Sequence, residues 1–237
     1  MKRLIHIAGA LVAAGGIAGC GGTSASDTTV SGEQSTAVVA TTTTATTTGT
    51  TQSEDTAAAS TACTETTVAT TEGPYYVTQT AALTNGDLNS DDLPGDPITI
   101  SGYVFSGTGT DAPLANAVVD IWQADGGGTY WPASNGPATG YTAEQLSLRG
   151  HVVTDARGFY SFSTIYPGEY EGRARHIHIR GTSADGSKDV ITQLIMSKDG
   201  DQTPATSDNI ARSLPACNTM TFTDSNGTQT ASFDFHL

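Results

Sequence analysis

Past residue 97 the chain is a succession of short β-branched and aromatic runs cut off by glycine and proline. No stretch sustains the apolar period of about 3.6 residues that an amphipathic helix needs. Ile98 to Phe105 and Val118 to Gln123 are the clearest runs. His151 to Thr154 and Phe159 to Phe162 flank Asp155-Ala156-Arg157-Gly158, which reads as a hairpin turn. Arg175 to Arg180, Val190 to Met196, Thr219 to Thr223 and Ala231 to Phe235 complete the series. About seven or eight short strands with glycine and proline between them predict an all-β fold, an antiparallel β-sandwich. The abundance of threonine and the 27 glycines point the same way, away from an all-helical protein.

The first third of the chain has no such pattern. Residues 1–20 carry Lys2-Arg3, a short apolar run and then Ile17-Ala18-Gly19-Cys20. A basic start, an apolar stretch and small residues before a cut site describe an export signal. The cysteine that closes it resembles the lipidation site of bacterial lipoproteins, so Cys20 is expected to be lipidated and to anchor the protein to the bacterial cell envelope. Residues 21–70 are almost entirely Thr, Ser, Ala and Gly. They cannot bury enough apolar surface to offset their ordering entropy, and read as a flexible tether reaching about 40 Å. The folded domain is therefore expected over residues 71–237.

Charge narrows the partners. Ten Lys and Arg against 24 Asp and Glu give a formal net charge of −14. So acidic a chain repels nucleic acid and anionic lipid, leaving a lipid anchor as the expected membrane contact. Besides Cys20 the chain has Cys63 and Cys217. An even pair in an exported chain predicts a disulfide that closes a long loop.

The densest chemistry lies in Tyr166-Pro167-Gly168-Glu169-Tyr170-Glu171-Gly172-Arg173-Ala174-Arg175-His176-Ile177-His178-Ile179. Residues i and i+2 of a strand share a face, so His176 and His178 converge while Ile177 and Ile179 pack on the other side. Two imidazoles from one strand make half of a metal site, or a pair on a solvated face. The cysteines are spent on the disulfide, which disfavours a thiolate zinc site. Tyr170 follows the Pro167-Gly168 bend and Tyr130 follows Gly126-Gly127-Gly128, where glycine lets backbone come close. Two phenolates with two imidazoles would suit ferric iron; alternatively each phenol is a rim or core aromatic bonded through its hydroxyl.

These residues resemble the intradiol ring-cleavage dioxygenases, the catechol and protocatechuate dioxygenases. The resemblance is carried by Leu148-Arg149-Gly150, Thr154-Asp155-Ala156, Gly158, Phe162, Thr164 to Gly168, Tyr170, Gly172-Arg173 and His176-Ile177-His178. Upstream, Thr71 to Tyr76, Leu93-Pro94-Gly95 and Ile121 to Asp125 with Tyr130 also match. It implies a β-sandwich core and a non-haem Fe(III) cofactor held by Tyr130, Tyr170, His176 and His178. It further implies Arg173 and Gln193 lining the site, with Tyr75 and Tyr76 at the substrate-pocket wall. The expected substrates are a small aromatic diol and O2, cleaved between the hydroxyls to a muconate-type diacid. His151 reads as a surface residue, Arg175 as a pocket-mouth charge or a solvated strand residue, and Trp131 as a bulky group that narrows or caps the cavity. The helical dimerisation region of catechol dioxygenases has no counterpart, which leaves the oligomeric state open. A non-catalytic, transthyretin-like binding module on a lipid tether is the other reading, and copper or zinc on the two histidines alone a third.

Overall fold

The computed structural model describes residues 63–237, and the export signal, Cys20 and most of the expected tether lie outside the described residues. The strands are β1 (Val77–Thr78), β2 (Pro97–Phe105), β3 (Val118–Gln123), β4 (Gly136–Pro137), β5 (Arg149–Val153), β6 (Phe159–Ile165), β7 (His176–Thr182), β8 (Asp189–Ile195), β9 (Thr223–Ser225), β10 (Thr228–Ser232) and β11 (Phe235–His236). Among the described residues the only helices are single 3₁₀ turns. One sheet, in the order β5-β3-β7-β8, is antiparallel throughout. In the other, β2 pairs antiparallel with β6 on one side and parallel with β10 and β11 on the other.

Alternation along these strands builds the core. Ile98, Ile100 and Val104 of β2 with Tyr160 and Phe162 of β6 meet Val119, Ile121, Ile177, Ile179 and Leu194 from the first sheet. Each such side chain, fully buried, contributes about 1.5–3 kcal/mol before the ordering cost. Gly102 is required where the chain returns between β10 and β11, because a Cβ there would lie 1.8 Å from the Phe233 carbonyl oxygen. Cys63 and Cys217 are joined in a disulfide that spans 154 residues of sequence, worth about 3–5 kcal/mol through its effect on the unfolded chain.

The architecture differs from the expected one in three respects. The sandwich is mixed, because β10, β11 and the short β1–β4 pair are parallel. The Asp155–Gly158 turn closes as expected, with Asp155 N–H donating to the Phe159 carbonyl at 2.9 Å. It makes a corner between sheets, though, since β5 pairs with β3 and β6 with β2. Residues 63–70 are strapped to the sandwich rather than free. Thr67 N–H donates to His236 O at 3.1 Å and Thr70 N–H to Ile191 O at 2.8 Å, so backbone bonding overrides a composition that reads as tether.

Candidate active site

Register across the first sheet sets the site. Arg149 of β5, Trp122 of β3, His178 of β7 and Gln193 of β8 are consecutive cross-strand partners, so they form one row on one face. That face is opposite the one carrying Ile177 and Ile179 into the core, as the His-x-His alternation predicts. His178 lies against Trp122 with ring centroids 4.9 Å apart and planes within 10°. His176 stands two residues earlier, 4.9 Å from His178, and its Nδ1 is 2.6 Å from the Ala174 carbonyl.

Two loops bring the phenols to this face. A Cβ on Gly128 would lie 2.0 Å from Glu169 O, and one on Gly168 would lie 2.2 Å from Gly128 N. The two backbones therefore touch only because both residues are glycine. Tyr130 and Tyr170 follow those glycines and meet with centroids 5.1 Å apart. Tyr170 lies 5.4 Å from His176, and Tyr130 lies 6.4 Å from His178. The four rings thus close a circuit, Tyr130 to Tyr170 to His176 to His178 and back.

Several polar atoms in and beside this circuit lack partners. Tyr130 Oη, His176 Nε2, His178 Nδ1 and Gln193 Nε2 are buried with no hydrogen bond among the described residues. Each such group costs about 1–3 kcal/mol if nothing meets it. Burial pushes the Tyr130 phenol far above the ordinary phenol range, with Tyr170 adding to it and Arg149 and Arg173 opposing. Burial raises Tyr170 as well, against the pull of Arg173. Burial drives His176 down to about 4, and burial, then His176, puts His178 well below its usual value. Both imidazoles are therefore neutral at pH 7, with a nitrogen lone pair free to bind a cation.

Around the circuit, Tyr75 stacks on Tyr130 at 4.4 Å and meets Tyr170 edge-on at 5.7 Å. Tyr76 does not join it. Tyr76 packs on Trp122 at 4.6 Å with its hydroxyl accepting from Arg180 Nη1 at 2.8 Å. Arg173 donates Nε to Asp208 Oδ2 at 2.7 Å and Nη2 to Gln193 Oε1 at 2.9 Å, which orients both members of the pair. Trp131 sits on the rim, 41% exposed, with Nε1 donating to Asp125 Oδ2 at 3.0 Å. His151 is half-buried opposite Asp120, in the next row of the same sheet.

One residue escapes the sequence reading. Arg149 is 6% exposed, and its guanidinium donates to the carbonyls of Trp131, Tyr75 and Pro132. It lies 5.6 Å from the Tyr130 ring centroid. Among the described residues none of the recorded ion pairs engages this buried cation, which links the Tyr75 segment to the Tyr130 loop. The sequence shows it only as the middle of Leu148-Arg149-Gly150, with nothing local to mark its place in the row.

Among the described residues no group of three His, Cys, Asp or Glu is placed to hold a metal ion.

Comparison with known proteins gives a consistent picture. The family model described as Dioxygenase matches residues 71–237. Catechol 1,2-dioxygenase 2 of Acinetobacter lwoffii is 34% identical over 154 residues, 56% of this chain and 51% of that protein. Chlorocatechol 1,2-dioxygenase of Rhodococcus opacus is 33% identical over 150 residues, 54% of this chain and 55% of its own. The chain thus spans about half the length of these curated relatives. Among solved structures, the dioxygenase domain of a dioxygenase carbohydrate-binding protein fusion from Streptomyces sp. SirexAA-E superposes with a TM-score of 0.59 at 32% identity. That match covers 73% of this chain and 98% of that one. Catechol 1,2-dioxygenase from Acinetobacter sp. ADP1 superposes with a TM-score of 0.56 at 26% identity, covering 73% of this chain and 63% of its own.

Proposed function

This chain belongs to the intradiol ring-cleavage dioxygenase family, and from that premise we propose that its folded domain cleaves catechol-type rings between their two hydroxyls to give muconate-type diacids. The observation that carries the reading is the closed circuit of Tyr130, Tyr170, His176 and His178, with partnerless buried atoms on Tyr130, His176 and His178.

The donor set fits non-haem Fe(III). Two phenols and two neutral imidazoles offer hard oxygen and borderline nitrogen, with no thiolate to favour zinc. A trivalent cation also supplies what burial withholds, since it favours the phenolates that a dry site otherwise keeps protonated. When bound, Fe(III) would activate the catechol towards O2.

The protein's own groups do the rest. Tyr170, only half-buried and followed by Glu171 and Gly172 at positive φ, is the circuit member freest to move aside and accept a proton from an incoming catechol hydroxyl at its Oη. Tyr130, wedged between Tyr75 and the Arg149 guanidinium, holds its position. Arg173, fixed by Asp208, presents a cation where negative charge builds on the ring, the role of a preorganised donor. Gln193, oriented by Arg173, keeps its Nε2 N–H free for the same region. Tyr75 and Trp122 exclude water from the flanks.

Export and lipidation at Cys20 belong to the same proposal and are supported by the signal at residues 1–20. The test of function is direct. Iron-loaded protein is expected to be red-brown from phenolate-to-iron charge transfer and to consume one O2 per catechol opened. A preparation that stays colourless and inert after iron loading would leave only the tethered binding module.

A further inference from the structure

A cleft of about 360 Å³ opens beside the circuit, walled by Gly126, Gly127, Glu169 to Gly172, Arg175, Gln202 and Thr203. Tyr170 belongs to both, since it lines the cleft and its ring meets Tyr130 and His176. The cleft therefore adjoins the circuit at Tyr170.

The charges of the wall do not balance. Arg175 is the one cation among the lining residues, and it is fully engaged. Its Nε donates to Asp201 Oδ1 at 2.6 Å, its Nη1 donates to the Pro167 carbonyl at 2.8 Å, and its Nη2 lies 3.9 Å from Glu169 Oε2. Glu169 is held too, accepting the Gln202 and Thr203 backbone N–H groups at 3.0 and 2.6 Å. Glu171 is different. It is exposed, and Tyr75 Oη donates to its Oε1 at 3.2 Å, a neutral partner that leaves the charge in place. Its φ of 47° sits in the left-handed region, where a non-glycine residue is strained, and its carboxylate reaches Tyr75, which stacks on Tyr130 of the circuit. Around the cleft the one guanidinium is set against Glu169, Glu171 and its own partner Asp201, with two negative charges in excess.

We propose that this cleft is the subsite for ring substituents, that it takes amine-bearing catechols and turns away carboxylated ones, and that Glu171 sets the preference. The inference rests on the ring-cleavage reading and adds the class of substrate. A carboxylate placed here meets Glu169 and Glu171 in the wall and a cation already paired with Asp201, whereas an ammonium meets the surplus charge directly. The wall is open to water, so the preference is screened by salt.

The experiment is anaerobic calorimetry on the iron-loaded full chain with the ethyl, aminoethyl and carboxyethyl catechols, which match in size and differ in charge. The aminoethyl compound is expected to bind about tenfold more tightly than the carboxyethyl one, with the ethyl compound between them. Raising the ionic strength is expected to narrow that ratio. Glu171→Gln should shrink it several-fold, and Glu171→Lys should reverse its order. Equal affinities, a preference for the carboxyethyl compound, or a ranking indifferent to salt and to both variants would each overturn the assignment. Oxygen uptake by the same preparations separates the two levels. Charge-ranked binding without ring opening supports the subsite and removes the reaction, while ring opening with no charge ranking keeps the reaction and removes the subsite.

Discussion

The sandwich interior and the aromatic circuit bury the same residue types and treat them differently. His236 is fully buried, with Nδ1 2.9 Å from the Gly107 carbonyl and Nε2 2.6 Å from the Cys63 carbonyl. Tyr160 is 2% exposed and donates its hydroxyl to the Phe233 carbonyl at 2.6 Å. In the circuit, His176 and His178 are 2% and 1% exposed and Tyr130 is 4% exposed, yet each keeps a ring or hydroxyl atom without a partner. Burial is the same in both places, so it does not distinguish a structural histidine from a functional one. Completion does. His236 and Tyr160 in the core already have their partners, whereas the circuit keeps buried atoms open to a ligand, and that is why it reads as a candidate site.

The largest effect that would break this contrast comes from a matched pair of variants. His178→Ala is expected to abolish the red-brown colour and to lower iron retention by more than the about 10–100-fold that loss of an outer partner costs. His236→Ala is expected to keep the colour and lose stability instead, by about 2–4 kcal/mol, because it leaves two buried carbonyls and a cavity. Iron retention with thermal unfolding on both proteins reads the two outcomes. If His236→Ala loses colour while His178→Ala keeps it, the division between the regions is wrong.

Arg173 tests the same contrast at its edge, being tied to Asp208 and Gln193 on one side and facing the circuit on the other. Arg173→Ala is expected to lower kcat by about 10²–10³-fold with iron still bound. It should also cost stability, since the Asp208 side chain is 1% exposed and loses its counter-charge. Arg173→Lys should recover part of the rate. Full turnover by an iron-bound Arg173→Ala protein would confine Arg173 to a structural role.

The parts legible in the sequence are those fixed by local alternation. Two histidines facing one way and two isoleucines the other follow from strand geometry at Ile177 and Ile179 alone. Tyr130 and Tyr170 are marked by their neighbouring glycines but chosen over ordinary aromatics only through family resemblance, because their meeting depends on backbone contact between Gly128 and Gly168, forty residues apart. Arg149 is invisible for a related reason. Its position beside Trp122, His178 and Gln193 is a matter of register between strands, which no run of residues encodes by itself. The parallel pairing of β10 and β11 with β2 is hidden likewise, since strand direction in a non-local pair leaves no mark on composition. Residues 63–70 mislead through their threonines. Their order comes from the disulfide at Cys63 and from bonds to His236 and Ile191.

The smallest expected effect concerns how firmly the core holds the proton of a buried phenol. Burial, and then Asp234, keep the Tyr160 hydroxyl well above the ordinary phenol value of 10.0. The folded state therefore retains this proton after the unfolded chain has begun to lose it. The contribution is fully present below pH 10 and declines as pH rises from there towards the raised folded value. From pH 8 to pH 11 the decline from this one group amounts to about 1 kcal/mol. Tyr160→Phe removes the titration along with the bond to Phe233, so it should be the less stable protein at pH 8 by about 1–3 kcal/mol. The gap between the two proteins should then narrow by about 1 kcal/mol by pH 11. Urea unfolding at both pH values measures it. A gap that stays constant would mean that Tyr160 ionises as readily in the core as in the unfolded chain, and the interior would then be no drier or better completed than the circuit.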